Sequence, residues 1–196
     1  MKKDVKSKII SVATELFTNR GYDSIKMEDI AAKAGITKMM VYYYFDSKQE
    51  ILKNIIKNLM EDAIEKISTI EFEKEFLFLP SSLIERMSSV VEDKKIFLAF
   101  IFSEILKGNL ADFPIFNYLK DFYDKIIKIF SKSKKQKEKD NEKLYIHLLF
   151  FHTIPIISYY ALRDKIVEEL GISKDKLEKE FIEKFIQNIK LTLNLL

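Results

Sequence analysis

The residues best suited to chemistry lie between positions 37 and 45, in a segment rich in lysine, methionine and tyrosine. Lysine ammonium groups and tyrosine hydroxyls suit phosphate oxygens, and apolar side chains can contact thymine methyl groups. Helical spacing places Val41 and Phe45 on one face of the segment. The opposite face then carries Lys38, Met39, Tyr42 and Tyr43. This pattern predicts a short helix that packs through one face and contacts DNA through the other.

Residues suited to catalysis are scarce in this chain. There is no cysteine and there are two histidines, which excludes a cysteine nucleophile, thiolate zinc sites and disulfides. His147 and His152 are five residues apart, about 140° around an α-helix, so they do not share a face as metal ligands four residues apart would. The sequence has no glycine-rich phosphate loop and no acid–base constellation. We therefore expect no enzyme activity, no cofactor and no bound metal.

The elements that must position these residues are helices. Of 196 residues, 47% are hydrophobic, yet there are only four glycines and three prolines. So few turn-forming residues predict long elements and an all-α fold. Lysine and arginine number 33 against 30 acidic residues, a net charge of +3 that does not oppose DNA binding. We expect about nine helices, near residues 4–19, 27–34, 37–45, 47–67, 80–93, 95–107, 112–131, 140–169 and 173–195, with a kink at Pro155.

The helices predicted over 27–34 and 37–45 meet at Gly35, across a turn of three to four residues. This is the helix-turn-helix arrangement, in which the second helix enters the DNA major groove. Thr37 can cap that helix through its hydroxyl group, and Lys48 extends the basic rim beyond it. The same spacing also allows a helical corner that packs its tyrosines and binds no DNA. The small core is predicted to contain Ile30, Ala31, Ile36, Val41 and Phe45.

Several motifs with fixed spacing occur together over roughly residues 8–52: Arg20-Gly21-Tyr22, the run from Ile30 to Lys38, Val41-Tyr-Tyr-Tyr-Phe45, and the run from Ser47 to Leu52. Together they resemble the signature of the tetracycline-repressor (TetR) family. The resemblance implies a homodimeric transcriptional regulator, most often a repressor that a small ligand releases from DNA. By motif position, the DNA-contacting roles would fall on Lys26, Thr37, Lys38, Met39, Met40, Tyr42, Tyr43 and Lys48.

The chain departs from the family pattern in two places. Ile25-Lys26 stands where threonine or serine is common, so a hydroxyl cap is missing and Lys26 is expected to contact phosphate instead. Met39-Met40 stands where glycine and a small hydroxyl residue are common. The predicted recognition helix also has no arginine, asparagine or glutamine, the usual bidentate readers of guanine and adenine. We therefore expect an A·T-rich operator with thymines beneath Met39 or Met40.

Aromatic stripes follow in the remainder of the chain, which contributes most of the sixteen phenylalanines. Such stripes are more often core than pocket lining. If they line a cavity for an apolar or aromatic effector, polar residues such as Glu104 and His152 could anchor it. Glu104 could instead form a surface ion pair with Lys107, three residues on. The candidate ligand-binding residues are Phe97, Phe100, Ile101, Glu104, Phe116, Tyr123, His147, Phe151 and Tyr159.

The run from Leu144 to Leu162 contains no charged side chain and approaches the length of a membrane span. Its histidines, proline and tyrosines favour a helix that packs on its own domain and on a partner subunit. We expect a homodimer formed through the last two helices, with no membrane and a cytoplasmic location. The predicted domains are a DNA-binding domain at 1–46 and a helical ligand-binding and dimerisation domain at 47–196. A DNA-binding protein without a ligand and a helical protein–protein adaptor remain alternatives.

Overall fold

The computed structural model describes residues 2–68, 79–110, 113–131 and 141–195. Over these ranges it contains α-helices and one π-helical turn, and no strand, which confirms the all-helical prediction. The α-helices are α1 (Lys2–Arg20), α2 (Met27–Ala34), α3 (Lys38–Tyr44), α4 (Lys48–Ser68), α5 (Leu79–Leu106), α6 (Ile115–Ser131), α7 (Asn141–Leu148), α8 (Ile154–Leu170) and α9 (Lys174–Leu195).

The break predicted between residues 93 and 95 is wrong, because α5 runs through it without interruption. No glycine or proline occurs there, and the charged side chains support the helix. Lys95 Nζ lies 3.0 Å from Glu92 Oε1, three residues earlier, in an ion pair of the kind that stabilises a helical turn. Residues 111–112, where the helix predicted over 112–131 was expected to begin, and residues 132–140 lie outside the described residues.

A π-helical turn at Leu149–Thr153 joins α7 to α8, and the Ile154 N–H donates to the Leu149 carbonyl five residues earlier. Pro155 follows directly. It has no N–H to donate, and its ring crowds the carbonyl four residues before it. The wider turn accommodates both defects while the chain stays helical. The kink predicted at Pro155 therefore corresponds to a π-helical turn just before it.

The chain divides into two packed units. Unit 1 consists of Met1–Glu61 together with Ile96–Pro114, and unit 2 consists of Asp62–Lys95 together with Ile115–Leu196. The long helices α4 and α5 each contribute residues to both units. The functional boundary predicted between residues 46 and 47 stays a prediction.

Unit 1 is built around a small core from α1, α2, α3 and the first turns of α4. Phe17 and Phe45 are its largest fully buried side chains. Four of the five residues predicted to share the helix-turn-helix core are buried, and Ile36 is half-buried. The other buried side chains of this core include Ile9, Ala13, Ile25, Ile51 and Leu52.

Unit 2 has an aromatic core between α6, the α7–α8 segment and α9. The Tyr159 and Phe181 rings stack with centroids 4.0 Å apart, and Phe181 stacks on Phe185 at 5.4 Å. Tyr123 is buried and its hydroxyl group is 2.7 Å from Thr153 Oγ1. Much of the apolar band of α9 is therefore occupied inside its own subunit.

One helical segment of the described ranges, Glu142–Leu170, is long and apolar enough to cross a membrane, judged by length and composition alone. Helices in the core of a soluble protein pass the same test, so this is weak evidence for a span.

Candidate nucleic-acid interface

The turn between α2 and α3 is fixed by Gly35. Its φ of +62° lies in the left-handed region, which favours glycine because a Cβ atom is strained there. The Gly35 N–H donates to the Ala32 carbonyl, and the Ile36 N–H donates to the Ala31 carbonyl. These two bonds close the end of α2 in a Schellman motif and direct the chain into α3.

Thr37 is the N-cap residue of α3, as predicted. Its Oγ1 accepts a hydrogen bond from the Met40 N–H at 3.2 Å, so the hydroxyl group satisfies one of the N–H groups that a helix start leaves open. Val41 and Phe45 are buried on the inner face of α3. The recognition helix is therefore held both at its start and along its inner face.

The outer face of α3 is exposed, in agreement with the predicted periodicity. Met39 is 81% exposed and Met40 is 38% exposed. Tyr42 and Tyr43 are also exposed, and the Tyr43 ring meets the Tyr44 ring edge-on at 5.1 Å. Large apolar and aromatic side chains that remain exposed on a short helix form a surface suited to a partner.

Lys38, on the same outer face, contacts two neighbouring side chains. It forms an ion pair with Glu28 of α2, and its ammonium group lies 5.6 Å from the centroid of the Tyr42 ring. The hydrogen bond from Lys38 lowers the pKa of Glu28, and the same bond raises the pKa of Lys38. The sequence analysis missed Glu28, although an acidic residue in the first turn of α2 was a visible signal.

Lys26 precedes α2 and its side chain is exposed. The Lys26 side chain does not cap α2, as we expected from the absence of a hydroxyl residue at this position. The Lys26 backbone N–H instead donates to Asp29 Oδ2 at 2.8 Å, so the acid at the third helical position holds the helix start from within. The phosphate contact expected of the Lys26 side chain stays a prediction.

Lys48, predicted to extend the basic rim, is partly buried against the turn between α1 and α2. Its Nζ donates to the Tyr22 carbonyl at 2.7 Å and lies 4.1 Å from the centroid of the Tyr22 ring. Burial lowers the pKa of Lys48, and the negative charge of Asp23 opposes that shift. Its predicted phosphate contact stays a prediction, but the side chain also joins α4 to this turn.

The candidate ligand-binding residues divide between the two units. Phe97, Phe100 and Ile101 are buried in unit 1. Tyr123 and Tyr159 are buried in unit 2, where the half-buried His147 ring lies 4.9 Å from the Phe151 ring. A cavity shared by these residues stays a prediction.

Three of these candidates do not have the burial or the contacts that the sequence analysis predicted for a ligand-binding residue. Phe116 is 60% exposed, because it lies in the first turn of α6, before the part of that face that is covered. Phe151 is also exposed, because the π-helical turn directs His152 inward instead. Glu104 forms the ion pair with Lys107 that the alternative interpretation predicted, at 2.9 Å, but it is buried and not on the surface. Its role as a ligand anchor stays a prediction.

Two buried polar groups of unit 2 were not assigned these contacts from the sequence. His152 Nε2 lies 2.6 Å from Thr192 Oγ1, and Thr192 donates to the Asn188 carbonyl at 3.0 Å. Arg163 donates to Glu92 Oε1 at 3.0 Å and packs beside Tyr160. Within the described ranges no cluster of three or more acidic or histidine side chains could hold a metal ion.

A capped recognition helix, anchored through its inner face and exposed on its outer face, defines a helix-turn-helix protein. Residues 9–55 match the family model described as bacterial regulatory proteins, tetR family. The similarity to this family therefore lies in the helix-turn-helix region.

Similarity to curated relatives extends over 53 or 54 residues of the chain. The chain is 39% identical over 54 residues to IcaR of Staphylococcus epidermidis, a negative transcriptional regulator of the biofilm operon icaADBC. It is 43% identical over 53 residues to IcaR of Staphylococcus aureus strain Newman. These matches cover 28% and 27% of this chain, and 29% and 28% of those relatives. The chain therefore matches less than a third of each relative's length.

Solved structures resemble the whole fold at low sequence identity. A TetR-family regulator from Syntrophomonas wolfei has a TM-score of 0.70 and 21% identity, covering 100% of this chain and 98% of that one. FadR of Thermus thermophilus, a TetR-family repressor solved with lauroyl-CoA, has a TM-score of 0.57 and 18% identity, covering 96% and 93%. At this identity the likeness concerns the fold alone.

Proposed function

We propose that this protein is a DNA-binding transcriptional repressor whose α3 enters the major groove. The observation that carries the proposal is the division of α3 into a buried face, with Val41 and Phe45, and an exposed face that bears Met39 and Tyr43. Lys38 places a positive charge in the first turn of α3, which suits a phosphate oxygen. The similarity of the chain to negative transcriptional regulators supports the repressor assignment.

Selection from a random pool of duplex DNA tests this proposal directly. The full chain is expected to enrich an A·T-rich motif with two related half-sites, and binding should weaken steeply as salt rises. A pool that shows no enrichment, together with no binding to any duplex at low salt, would overturn it. Such a result would favour the protein–protein adaptor.

The DNA-binding form is a homodimer. Apolar side chains remain exposed on α7, α8 and the π-helical turn between them, including Ile146, Phe150 and Leu162, and Leu191 is exposed on α9. In the most apolar stretch of Glu142–Leu170, 28% of residues are buried within one chain. An apolar surface of this kind suits a symmetric partner, and two-fold symmetry would place recognition helices about 34–36 Å apart on a near-palindromic site.

Sedimentation equilibrium tests the dimer. The wild-type chain should sediment as a dimer, and Leu162→Glu should shift it towards the monomer. Leu106→Glu, which changes a more exposed leucine on α5, is the control and should leave the mass unchanged. A wild-type chain that stays monomeric at high micromolar concentration would contradict this part of the proposal.

A small apolar or aromatic effector releases the protein from DNA. The buried aromatic side chains of both units and the lauroyl-CoA bound by the Thermus thermophilus FadR support an effector with an apolar body. A ligand can shift the protein only by binding one conformation more tightly than another. A library of acyl and aromatic compounds should therefore contain members that both raise the unfolding temperature and lower DNA affinity. If no compound does both, the protein acts without a ligand.

A further inference from the structure

The sulfur of this chain is all in methionine, because the sequence has six methionines and no cysteine. The thioethers are therefore the sulfur groups that an oxidant can attack. Four of the methionines have a described side chain, and their exposure differs widely. Met39 is 81% exposed and Met40 is 38% exposed, whereas Met60 is half-buried and Met27 is buried. Because oxidation follows access to the side chain, Met39 is the first of these four that an oxidant in solution would reach.

Met39 is held in this exposed position by its own helix. It lies in the first turn of α3, where Thr37 caps the helix start and Val41 is buried on the inner face. Tyr43 is exposed one helical turn further along, on the same outer face. The thioether most open to oxidation therefore lies on the surface that, in the proposed function, meets the DNA bases.

We propose that Met39 is an oxidation site through which hydrogen peroxide weakens DNA binding. This inference rests on the proposed function. The Met39 sulfur attacks one peroxide oxygen, so that an S–O bond forms as the O–O bond breaks. The sulfur is oxidised by two electrons and the peroxide is reduced by two. The transferred oxygen passes its proton to the leaving oxygen, which departs as water, and the product is methionine sulfoxide.

The oxidation changes the polarity of the Met39 side chain but not its charge. The sulfoxide is polar, so it is a poor replacement for the apolar thioether against a thymine methyl group. Its oxygen would also lose water on binding without gaining a hydrogen-bond donor from that methyl group, which weakens the complex. The free protein should keep its stability, because Met39 is exposed in the fold. Methionine sulfoxide is reducible by enzymes, so the change is reversible.

The first test measures the affinity of the full chain for the duplex enriched from the random pool, before and after treatment with hydrogen peroxide. Mass spectrometry of peptides gives the oxidised fraction at each methionine, and the dose is set so that Met39 is oxidised and Met27 is not. Affinity should fall about tenfold, the scale of one mismatched base pair in a site. The slope of log affinity against log salt should not change, because no charged contact is lost.

Reversal and unfolding separate this effect from general damage. Methionine sulfoxide reductases that act on both sulfoxide epimers should restore the affinity. Urea unfolding of the treated chain should give the untreated midpoint. Unchanged affinity in a chain with fully oxidised Met39 would overturn the inference and leave the proposed function standing. A lowered unfolding midpoint that accounts for the loss would overturn it as well.

The second test uses variants, each compared with its own affinity before treatment. Met39→Leu removes the sulfur at an exposed helical position and keeps an apolar, helix-favouring side chain. Peroxide should then cause no loss of affinity. Met60→Leu on α4 is the matched control and should lose as much affinity as wild type, and Met40→Leu should lose most of it. A tenfold loss in treated Met39→Leu would overturn the inference.

Protection by DNA gives a third test that needs no variant. In the complex with the enriched duplex, Met39 should be oxidised several-fold more slowly than in the free chain, because the DNA covers it. Met60 should be oxidised at the same rate in both samples. Equal rates for Met39 in free and fully bound protein would overturn the inference. A wild-type chain that binds no duplex before treatment would overturn the proposed function, and the inference with it.

Discussion

The Lys48 ammonium group donates to the Tyr22 carbonyl at 2.7 Å and lies 4.1 Å above the ring of the same residue. One of its three protons is therefore committed to the protein, and two remain for a phosphate. Replacing Lys48 should therefore affect both its contact with Tyr22 and its predicted contact with a phosphate.

Lys48→Ala is expected to weaken binding to all duplexes by a similar factor and to lower the salt slope by about one unit. Titrations at several salt concentrations measure both quantities. Lys165→Ala is the control, because Lys165 pairs with Glu169 on α8 at 2.8 Å. A loss of affinity without a change in slope would show that Lys48 acts through Tyr22 alone.

Met39→Ala and Met40→Ala should each change the base preference at one position per half-site. Both side chains are exposed on the outer face of α3, where an apolar group can contact a thymine methyl group. Repeating the DNA selection with each variant measures the preference. Met60→Ala on α4 is the control. An equal loss across all sequences would contradict thymine recognition by these methionines.

Thr37→Ala should lower the free energy of unfolding by about 1 kcal/mol, because it removes the cap on the Met40 N–H. Urea unfolding measures this change. Thr37→Ser keeps the hydroxyl group and should preserve most of the stability. Equal losses in the two variants would mean that the threonine methyl group, rather than the cap, stabilises the start of α3.

Glu28→Gln should strengthen binding to non-specific DNA several-fold at low salt. The variant removes a negative charge beside α3 and releases Lys38 from its ion pair. The specificity ratio, which is the affinity for the selected duplex divided by the affinity for a scrambled duplex, should fall. Glu15→Gln, which removes the partner of Lys33, is the matched control. An unchanged ratio would mean that Lys38 already contacts DNA while paired.

His152 should make folding stability depend on pH. Burial, with a smaller contribution from His147, lowers the pKa of His152 from 6.5 to about 4. Between these values the unfolded chain binds a proton that the folded chain does not. The stability from this group is therefore complete above about pH 6.5 and is lost as the pH falls towards 4, on the order of 3 kcal/mol in all.

Urea unfolding between pH 4 and 7 measures this dependence. His152→Gln should flatten it, because the titrating group is absent, while carboxylates keep their own contribution. His147→Gln should retain most of the wild-type slope. Equal slopes in wild type and His152→Gln would show that other groups cause the loss.

The helix-turn-helix could be predicted from the sequence because its evidence is local. Gly35 marks the turn, Thr37 marks the helix start, and Val41 and Phe45 repeat at helical spacing, so each signal lies within a few residues of the next. The break predicted near residue 94 has no counterpart in the structure, because the charged residues there are compatible with a helix interior.

Contacts between residues that are far apart in the sequence were harder to predict. Nothing near His152 in the sequence indicates Thr192, whose hydroxyl group lies 2.6 Å from the His152 ring nitrogen. The 140° separation of His147 and His152 assumed a regular α-helix, but the π-helical turn lies between them.

The π-helical turn also means that α7 and α8 are out of phase by one inserted residue. Deleting one residue between positions 149 and 153 would turn the two helices about 100° relative to each other around their common axis. The contact from His152 to Thr192 and the outward direction of Ile146 could then not be kept together. Length in this short stretch, and not only residue type, therefore determines which apolar side chains a second subunit would meet.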